Sequence, residues 1–280
     1  MITKSPLEPK VQRPTRMLKP SLFWDITSGI PKQLRWSLMA ISIVLPLILW
    51  GVIAAQGWVK PLFLPSPAAV GGAIAELWQS GDLQKDIIYS VLRVLAGFTF
   101  AVIVSIPLGI SMGVFASLRA LFEPIIGIVR YMPAPAFIPL LVLYFGVGET
   151  PKVLLIFIGT LFFNTLMVMD AVKFVPKELI EATYTLGGTR PQVVFRVIFP
   201  YVLPKIIDAG RVNIAASWNL VIVSELVAAT EGLGRRISVA QRFLNTEQIF
   251  AGLIVIGLIG LTIDLCFVWM QRLMCRWSLD

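Results

Sequence analysis

Long apolar stretches alternate with short polar connections along the whole chain. Six of the stretches hold about 20 residues with few or no charges, the length that crosses the ~30 Å hydrocarbon core of a bilayer. They predict membrane-spanning helices at about 37–55, 88–115, 121–145, 153–169, 206–229 and 250–270. We therefore expect an all-α, polytopic membrane protein.

The composition agrees with this pattern. The 280 residues are 57% apolar and 14% charged, whereas soluble proteins are about 25% charged. The chain has no histidine, which disfavours a histidine metal site or proton relay. Cys266 and Cys275, nine residues apart, match no metal-binding pattern and are interpreted as packing residues.

The distribution of the basic residues predicts the orientation. With the N-terminus inside, 16 lysines and arginines fall on the cytoplasmic side, 6 fall outside and 2 fall within spans. This bias favours both termini in the cytoplasm. It explains the net charge of +8, so nucleic-acid binding is not expected. Residues 1–35 are expected to form a cytoplasmic arm, and residues 36–275 the membrane domain.

Two polar connections are expected on the outer side. Ser66 and Pro67 predict the start of an amphipathic helix that ends near Trp78. This helix is either a lid on the spans or a rim that meets an extracytoplasmic partner. The later connection contains Arg235, Arg236 and Arg242, which form either a docking patch for an acidic surface or a solvated face.

The third span is interrupted by Pro133, Pro135 and Pro139, each of which removes a backbone donor. Non-helical backbone at membrane depth is tolerated where it is buried in protein or lines a cavity. The break is therefore a candidate for a translocation path. Arg130 lies beside it and has two interpretations: it faces the path and favours anions, or it forms a structural ion pair. The candidate ion-pair partners are Glu123, Asp170, Glu225 and Asp264.

The fifth span is unusually polar, and its small residues suit close helix contact. Its polar groups could face a pore or a partner copy across a two-fold axis, and the sequence leaves both open. The candidates for the translocation path from the two spans are Arg130, Met132, Pro133, Pro135, Trp218, Asn219 and Glu225.

Residues 176–200 form a patterned cytoplasmic connection between spans four and five. Pro176 predicts a helix start, and Gly187-Gly188 predicts its end. A second short helix is expected from Thr189, with Pro200 as its stop and Pro204 as a further break before span five. The first helix could rest on lipid, but its small residues and glycine turn favour docking to a cytoplasmic partner. Its apolar stripe is expected at Leu179, Ala182, Thr183 and Leu186.

The spacing in this connection resembles the signature of permease subunits of binding-protein-dependent ABC importers. Glu181-Ala182-Thr183 is followed by Gly187 and, nine residues later, by Val197, then by Phe199-Pro200. Thr183, Val197 and Phe199 are mild departures from the signature. Most of the chain after the N-terminal arm resembles the nitrate/sulfonate/taurine branch, including "SVLRVLAGF" at 90–98 and "ELVAATEGLG" at 225–234.

The resemblance implies a type I importer permease fold in a bacterial cytoplasmic membrane. It implies that the 178–188 helix couples to an ATPase through Glu178, Glu181, Ala182, Thr183, Leu186, Gly187 and Gly188. The implied partners are a second permease copy, giving a homodimer, two cytoplasmic ATP-binding subunits and a periplasmic solute-binding protein. The branch handles nitrate, bicarbonate, cyanate, sulfonates, taurine and some heterocyclic vitamin precursors, and a small anion is the expected substrate.

The chain itself has no G-x-x-x-x-G-K-[ST] phosphate-binding pattern. ATP and Mg²⁺ are therefore expected on the partner, no cofactor is expected in this chain, and the chain is not expected to be an enzyme. The main alternative is a secondary anion transporter acting without ATPase partners. A membrane-embedded enzyme would need clustered catalytic residues, and a structural scaffold would not explain the broken third span.

Overall fold

The computed structural model describes residues 31–278 of the chain, within which all regular structure is helical. The chain divides into two compact units, residues 1–53 and 54–280. The first is represented by α1 (Lys32–Ala55), which contains Pro46 and is long and apolar enough to cross a membrane. Most of the expected N-terminal arm lies outside the described residues, and α1 begins at Lys32, inside the predicted 1–35 boundary.

The second unit contains the remaining helices in a simple order. It comprises α2 (Pro67–Gln79), α3 (Asp82–Val114), α4 (Ala116–Val129), a 3₁₀ turn (Ala134–Phe137), α5 (Ile138–Phe145), α6 (Glu149–Lys173), α7 (Lys177–Thr185), α8 (Arg190–Gln192), a π-helical segment (Val193–Ile198), α9 (Phe199–Ala228), α10 (Leu233–Arg242), α11 (Thr246–Met274) and a 3₁₀ turn (Arg276–Ser278).

Five of the six predicted spans match described helices that are apolar enough to cross a bilayer. These are α1, α3, α6 and α11, with α4 and α5 as one bent pair. The remaining one, the fifth predicted span, corresponds to α9. This helix is 30 residues long and spans about 45 Å at 1.5 Å per residue. It falls short of the hydropathy of the others, because polar and charged residues interrupt its apolar run.

The predicted break in the third span is confirmed. Helix α4 ends at Val129, and α5 leaves at an angle of 85° to it. Pro133 stands in extended conformation before the 3₁₀ turn, and Pro139 lies in the first turn of α5. Prolines at these positions remove donors that an unbroken helix would need, so the chain turns sharply here.

Helices α3, α6 and α9 form the centre of the second unit. Small residues allow α3 and α6 to approach closely: a Cβ on Gly109 would lie 2.7 Å from the carbonyl oxygen of Thr165. Polar side chains also cross the contact. The Asn164 amide of α6 donates to Ser105 of α3 at 2.6 Å, and the Asn213 amide of α9 donates to Asn164 at 3.1 Å. These bonds fix the register of the three helices.

The predicted stop at Pro200 and break at Pro204 are wrong. The chain stays helical from Arg190 to Ala228, with Pro200 in the first turn of α9 and Pro204 inside it. Before Pro200 the helix widens to a π-helical segment, in which the Phe199 N–H donates to the Val194 carbonyl five residues earlier. Such a local widening absorbs the altered bonding pattern around a proline without ending the helix.

The predicted outer helix is present as α2. The Ser66 hydroxyl accepts a hydrogen bond from the Ala69 N–H at 3.2 Å, and Pro67 follows as its first residue. Val70 and Leu77 are buried, whereas Trp78 is 56% exposed. Helix α2 therefore packs on the bundle with one face, as a lid would, and leaves Trp78 free.

Candidate functional site

A cavity of about 510 Å³ lies between the broken span and helices α6 and α9. Arg130, Met132 and Pro133 from the break line it together with Gly159 of α6 and Asn219 of α9. Four of the predicted path residues, Arg130, Met132, Pro133 and Asn219, are thus brought together, although they come from segments about 90 residues apart in the sequence.

A second cavity, of about 650 Å³, continues from the first toward the end of α6 and the start of α9. The two cavities share Met167 and Val212 in their linings. The second carries Asp170, Tyr201 and Lys205. These two adjacent cavities lie along both helices, and we call them together the α6–α9 groove.

Arg130 is exposed and stacks on its neighbour. Its guanidinium lies 4.7 Å from the centre of the Tyr131 ring and donates to the Tyr131 hydroxyl at 2.9 Å. Three of the four carboxylates considered as its partners are paired elsewhere, and across residues 31–278 Arg130 itself has no ion pair. Glu225 pairs with Arg93, Asp264 with Arg211 and Asp170 with Lys173. Its positive charge is therefore available in the groove.

The other predicted path residues lie away from this cavity. Trp218 is 6% exposed and packs in the hydrophobic core with Leu77 and Val94. Pro135 lies in the 3₁₀ turn but does not line the cavity. Glu225 is fully buried near the end of α9. None of the three is among the residues that line the groove.

An ionic cluster, which we call the Arg93 cluster, consists of the buried Ser90, Arg93 and Glu225 and the more exposed Glu149. The Arg93 guanidinium donates to Glu149 at 2.5 and 2.8 Å and to Glu225 at 2.7 Å. Ser90 donates to Glu225 at 2.7 Å. This cluster was not predicted as a unit from the sequence. The available signal was the charge of Arg93 within an apolar span, which requires a partner.

Next to this cluster, Glu231 and Arg236 of the outer connection form ion pairs with residues of α3. Arg236 pairs with Asp86 and lies 3.7 Å from Asp82. Lys85 pairs with Glu231 and lowers the pKa of Glu231 below its usual range, mainly through a hydrogen bond. These pairs fasten the connection between α9 and α10 to the start of α3.

Helix α7 stands out from the bundle at the other end of α6. None of its residues is fully buried. Ile180 packs against the hydrophobic cluster that includes Val175 and Val193, whereas Leu179 is 41% and Leu186 88% exposed. The anchoring residue is therefore Ile180, and the stripe predicted from the sequence belongs to the exposed side.

The end of α7 is a rigid glycine turn. Gly187 has φ +79°, which favours glycine. The Gly187 N–H donates to the Tyr184 carbonyl and the Gly188 N–H to the Thr183 carbonyl, both at 2.9 Å. This is a Schellman motif, which satisfies the last helical carbonyls. The predicted end of the helix at Gly187-Gly188 is confirmed, and Leu186 is held in an exposed position.

The residues predicted to couple to an ATPase all lie on this element. Most of them are exposed, and Thr183 and Gly188 are half-buried in the turn. The set is Glu178, Glu181, Ala182, Thr183, Leu186, Gly187 and Gly188.

A bundle of membrane-spanning helices with an internal groove and a protruding helix between two spans defines a component of a membrane transport system. Residues 105–277 match the family described as "Binding-protein-dependent transport system inner membrane component". The match covers more than half of the chain, and the chain belongs to this family.

Two curated relatives and one solved structure are similar to it. The taurine transport system permease protein TauC of Escherichia coli is 33% identical over 89% of this chain and 91% of its own. The putative aliphatic sulfonates transport permease protein SsuC of Bacillus subtilis is 28% identical over 88% of this chain and 90% of its own. An inward-facing structure of the MetNI methionine ABC transporter has a TM-score of 0.61 at 20% identity, covering 69% of this chain and 95% of its own.

These findings confirm the predicted fold and class. The chain is a permease of the type I importer fold and an inner membrane protein. It is a permease subunit of a transport system, and the comparisons do not favour a secondary transporter that acts alone.

Proposed function

We propose that this chain takes up a small sulfonate-type anion from an extracytoplasmic binding protein, passes it along the α6–α9 groove, and is driven by ATPase subunits that bind α7. The observation that carries this proposal is the geometry of α7. Helix α7 is short and ends in a capped turn. The apolar side chain of Leu186 in this turn is almost completely exposed, and packing within the second unit does not require it there.

The shape of α7 fits a rigid docking element. Ile180 fixes one side of the helix to the core, and the glycine turn fixes its end. Glu178 and Glu181 near its N-terminus and the exposed Leu179 and Leu186 then present a mixed charged and apolar surface. A partner that seats this surface can move the α6–α9 pair as a rigid body, because α7 directly connects the two helices through short turns.

The proposed assembly contains two copies of this chain, two ATP-binding subunits and one extracytoplasmic binding protein. The groove is open along one side, and a second copy placed against it would close a pore. ATP and Mg²⁺ belong to the ATPase partners, because this chain has no phosphate-binding motif of that class.

The proposed substrate follows from the positive charge of Arg130, which lines the first cavity. Arg130 presents a guanidinium without a carboxylate partner among the described residues, and guanidinium binds tetrahedral oxyanions through paired hydrogen bonds. Asn219 in the same lining adds an amide donor. The relatives named for taurine and aliphatic sulfonates support a solute with a sulfonate group.

The test compares two exposed apolar residues at opposite ends of the molecule. Leu186→Asp places a charge on the proposed docking surface, and Phe243→Asp, at a residue 80% exposed in the α10–α11 connection, is the matched control. Each variant is co-expressed with the ATP-binding subunit and purified in detergent. Leu186→Asp is expected to lose the ATPase and its substrate-stimulated hydrolysis, whereas Phe243→Asp keeps both.

The opposite outcome has a clear meaning. If Leu186→Asp retains the ATPase and its full stimulation, α7 rests on lipid and the docking assignment is wrong. If the wild-type chain never forms a complex with an ATPase and transports solute alone, the secondary-transporter interpretation replaces the present one.

A further inference from the structure

The Arg93 cluster lies at the end of the groove helices opposite α7. Glu149 is the first residue of α6, and α7 follows the last, so the two sites are separated by the 25 residues of α6, about 37 Å. By the charge distribution of the sequence, this is the extracytoplasmic end. The centre of the cluster is buried, and the Arg93 side chain is only 3% exposed.

One guanidinium holds both groove helices at this end. Arg93 projects from α3 and binds Glu149 at the start of α6 through Nε and Nη2. Its Nη1 binds Glu225, three residues before the end of α9. Helices α6 and α9 line both cavities of the groove. The distance between their outer ends is therefore set by their common partner.

The two ion pairs of Arg93, with Glu225 and with Glu149, differ in how easily they can separate. Glu225 is 0% exposed and also accepts hydrogen bonds from Ser90 and from the Gly234 N–H at 2.8 Å. A Cβ at Gly232 would lie 2.5 Å from the Glu225 carboxyl carbon. The connection between α9 and α10 is therefore closely packed over the ion pair of Arg93 and Glu225. Separating Arg93 from Glu225 would leave the Glu225 carboxylate in the interior without a cation.

Glu149 is much less buried than Glu225. Its side chain is 53% exposed, so water can replace Arg93 when the pair separates. The residue follows Gly146, which has φ +74°, and Gly148, and these glycines give the α5–α6 turn conformational freedom. Lys152 at 3.0 Å would remain as a partner for the carboxylate. Arg93 can therefore separate from Glu149 more easily than from Glu225.

We propose that Arg93 is a positioning residue for transport that clamps the extracytoplasmic ends of α6 and α9, and that release of Glu149 from Arg93 opens that end of the groove to the solute. This inference rests on the proposed function of the groove.

The clamp also lies under the outer surface on which a binding protein would act. Arg93 Nη1 donates to the Glu231 carbonyl at 2.7 Å, and the Leu233 N–H donates to Ser90 at 3.0 Å. The connection between α9 and α10 is thus fastened directly to the cluster. A displacement of this connection changes the bonds of Arg93 and thereby the strength of its hold on Glu149.

The test uses a cysteine reporter in the groove. Ala216 is exposed and lines the first cavity of the groove, near Arg130. Ala216→Cys is introduced into a chain in which Cys266 and Cys275 are replaced by serine, and the complex with its ATPase is reconstituted into vesicles. A membrane-impermeant maleimide is added from the extracytoplasmic side without ATP, and the rate of labelling is measured.

Glu149→Gln is expected to increase the labelling rate several-fold in complexes that assemble with the ATPase. Glu247→Gln, an exposed carboxylate in the first turn of α11, is the control and should leave the rate as in the parent. Glu149→Asp keeps the charge but shortens the reach, and should give an intermediate rate. It also serves as the test variant if Glu149→Gln does not assemble.

Equal labelling rates in the parent and both Glu149 variants would overturn the clamp. A separate measurement traps the parent complex with ATP and vanadate, where the reporter should label rapidly. If it labels there but the Glu149 variants have no effect, only the clamp fails. If it does not label even when trapped, the groove is not the path, and the proposed function of the groove fails together with the clamp.

Discussion

Gly188 lies directly against Thr183 across the turn that ends α7. The two are joined by the hydrogen bond from the Gly188 N–H to the Thr183 carbonyl, and a Cβ at Gly188 would lie 2.6 Å from the Thr183 methyl carbon and 2.7 Å from its carbonyl oxygen. Contacts this short require the turn to move. The position of Leu186 therefore depends on the absence of a side chain at Gly188.

Gly188→Ala is accordingly expected to reduce substrate-stimulated ATPase activity strongly while membrane insertion is retained. Gly187→Ala should have a smaller effect, since no atom lies within 4 Å of a Cβ there and only the left-handed backbone is strained, at about 1–2 kcal/mol. Gly257→Ala in α11 meets nothing within 4 Å and is the control. A Gly188→Ala complex as active as the control would show that the turn does not position the docking surface.

A second prediction concerns the positive charge of Arg130 in the groove. Arg130→Gln is expected to lower uptake of a sulfonate such as taurine about tenfold or more, because a hydrogen bond to a charged group contributes ~1.5–3 kcal/mol. Arg130→Lys keeps the charge without the paired donors and should be intermediate. Arg272→Gln, at an exposed arginine in the last turn of α11, is the control, and ATPase binding should be the same in all. Normal taurine uptake by Arg130→Gln would contradict a role in the path.

A third prediction concerns the contact between α9 and α11. Arg211 of α9 donates to Asp264 of α11 from Nε and, at 2.7 Å, from Nη2. Both side chains are a little over a third exposed, so the pair is expected to stabilise the bundle moderately. Arg211→Asp and Asp264→Arg should each lower the melting temperature, and the double exchange should restore most of the loss. A double variant no more stable than either single variant would show that the pair contributes little.

The sequence predicted the spans, the break and α7 well because each of these depends on local chemistry. Apolar length, clustered prolines and a glycine pair at a helix end act over a few residues, as Pro133 and Gly187 show. The Arg93 cluster could not be assembled in the same way. Arg93 and Glu225 are 132 residues apart, and only the packing of α3 against α9 brings them together.

Two other differences also come from tertiary context. Pro200 has the local chemistry of a helix stop, but the π-helical segment before it lets the helix continue into α9. On α7, Ile180 was not part of the predicted stripe, yet it is the residue that faces the core. Which side of a short amphipathic helix is anchored depends on the neighbours it meets, and the periodicity alone does not contain that information.

The central claim is that this chain converts ATP hydrolysis by a partner into solute uptake through its own groove. The most direct measurement reconstitutes the chain with its ATP-binding subunit in vesicles, with the binding protein outside and ATP inside, and follows the accumulation of labelled taurine. Uptake is expected only when ATP, the ATPase and the binding protein are all present, and it is expected to be lost in Leu186→Asp. Uptake by the chain alone, without ATP, would contradict it.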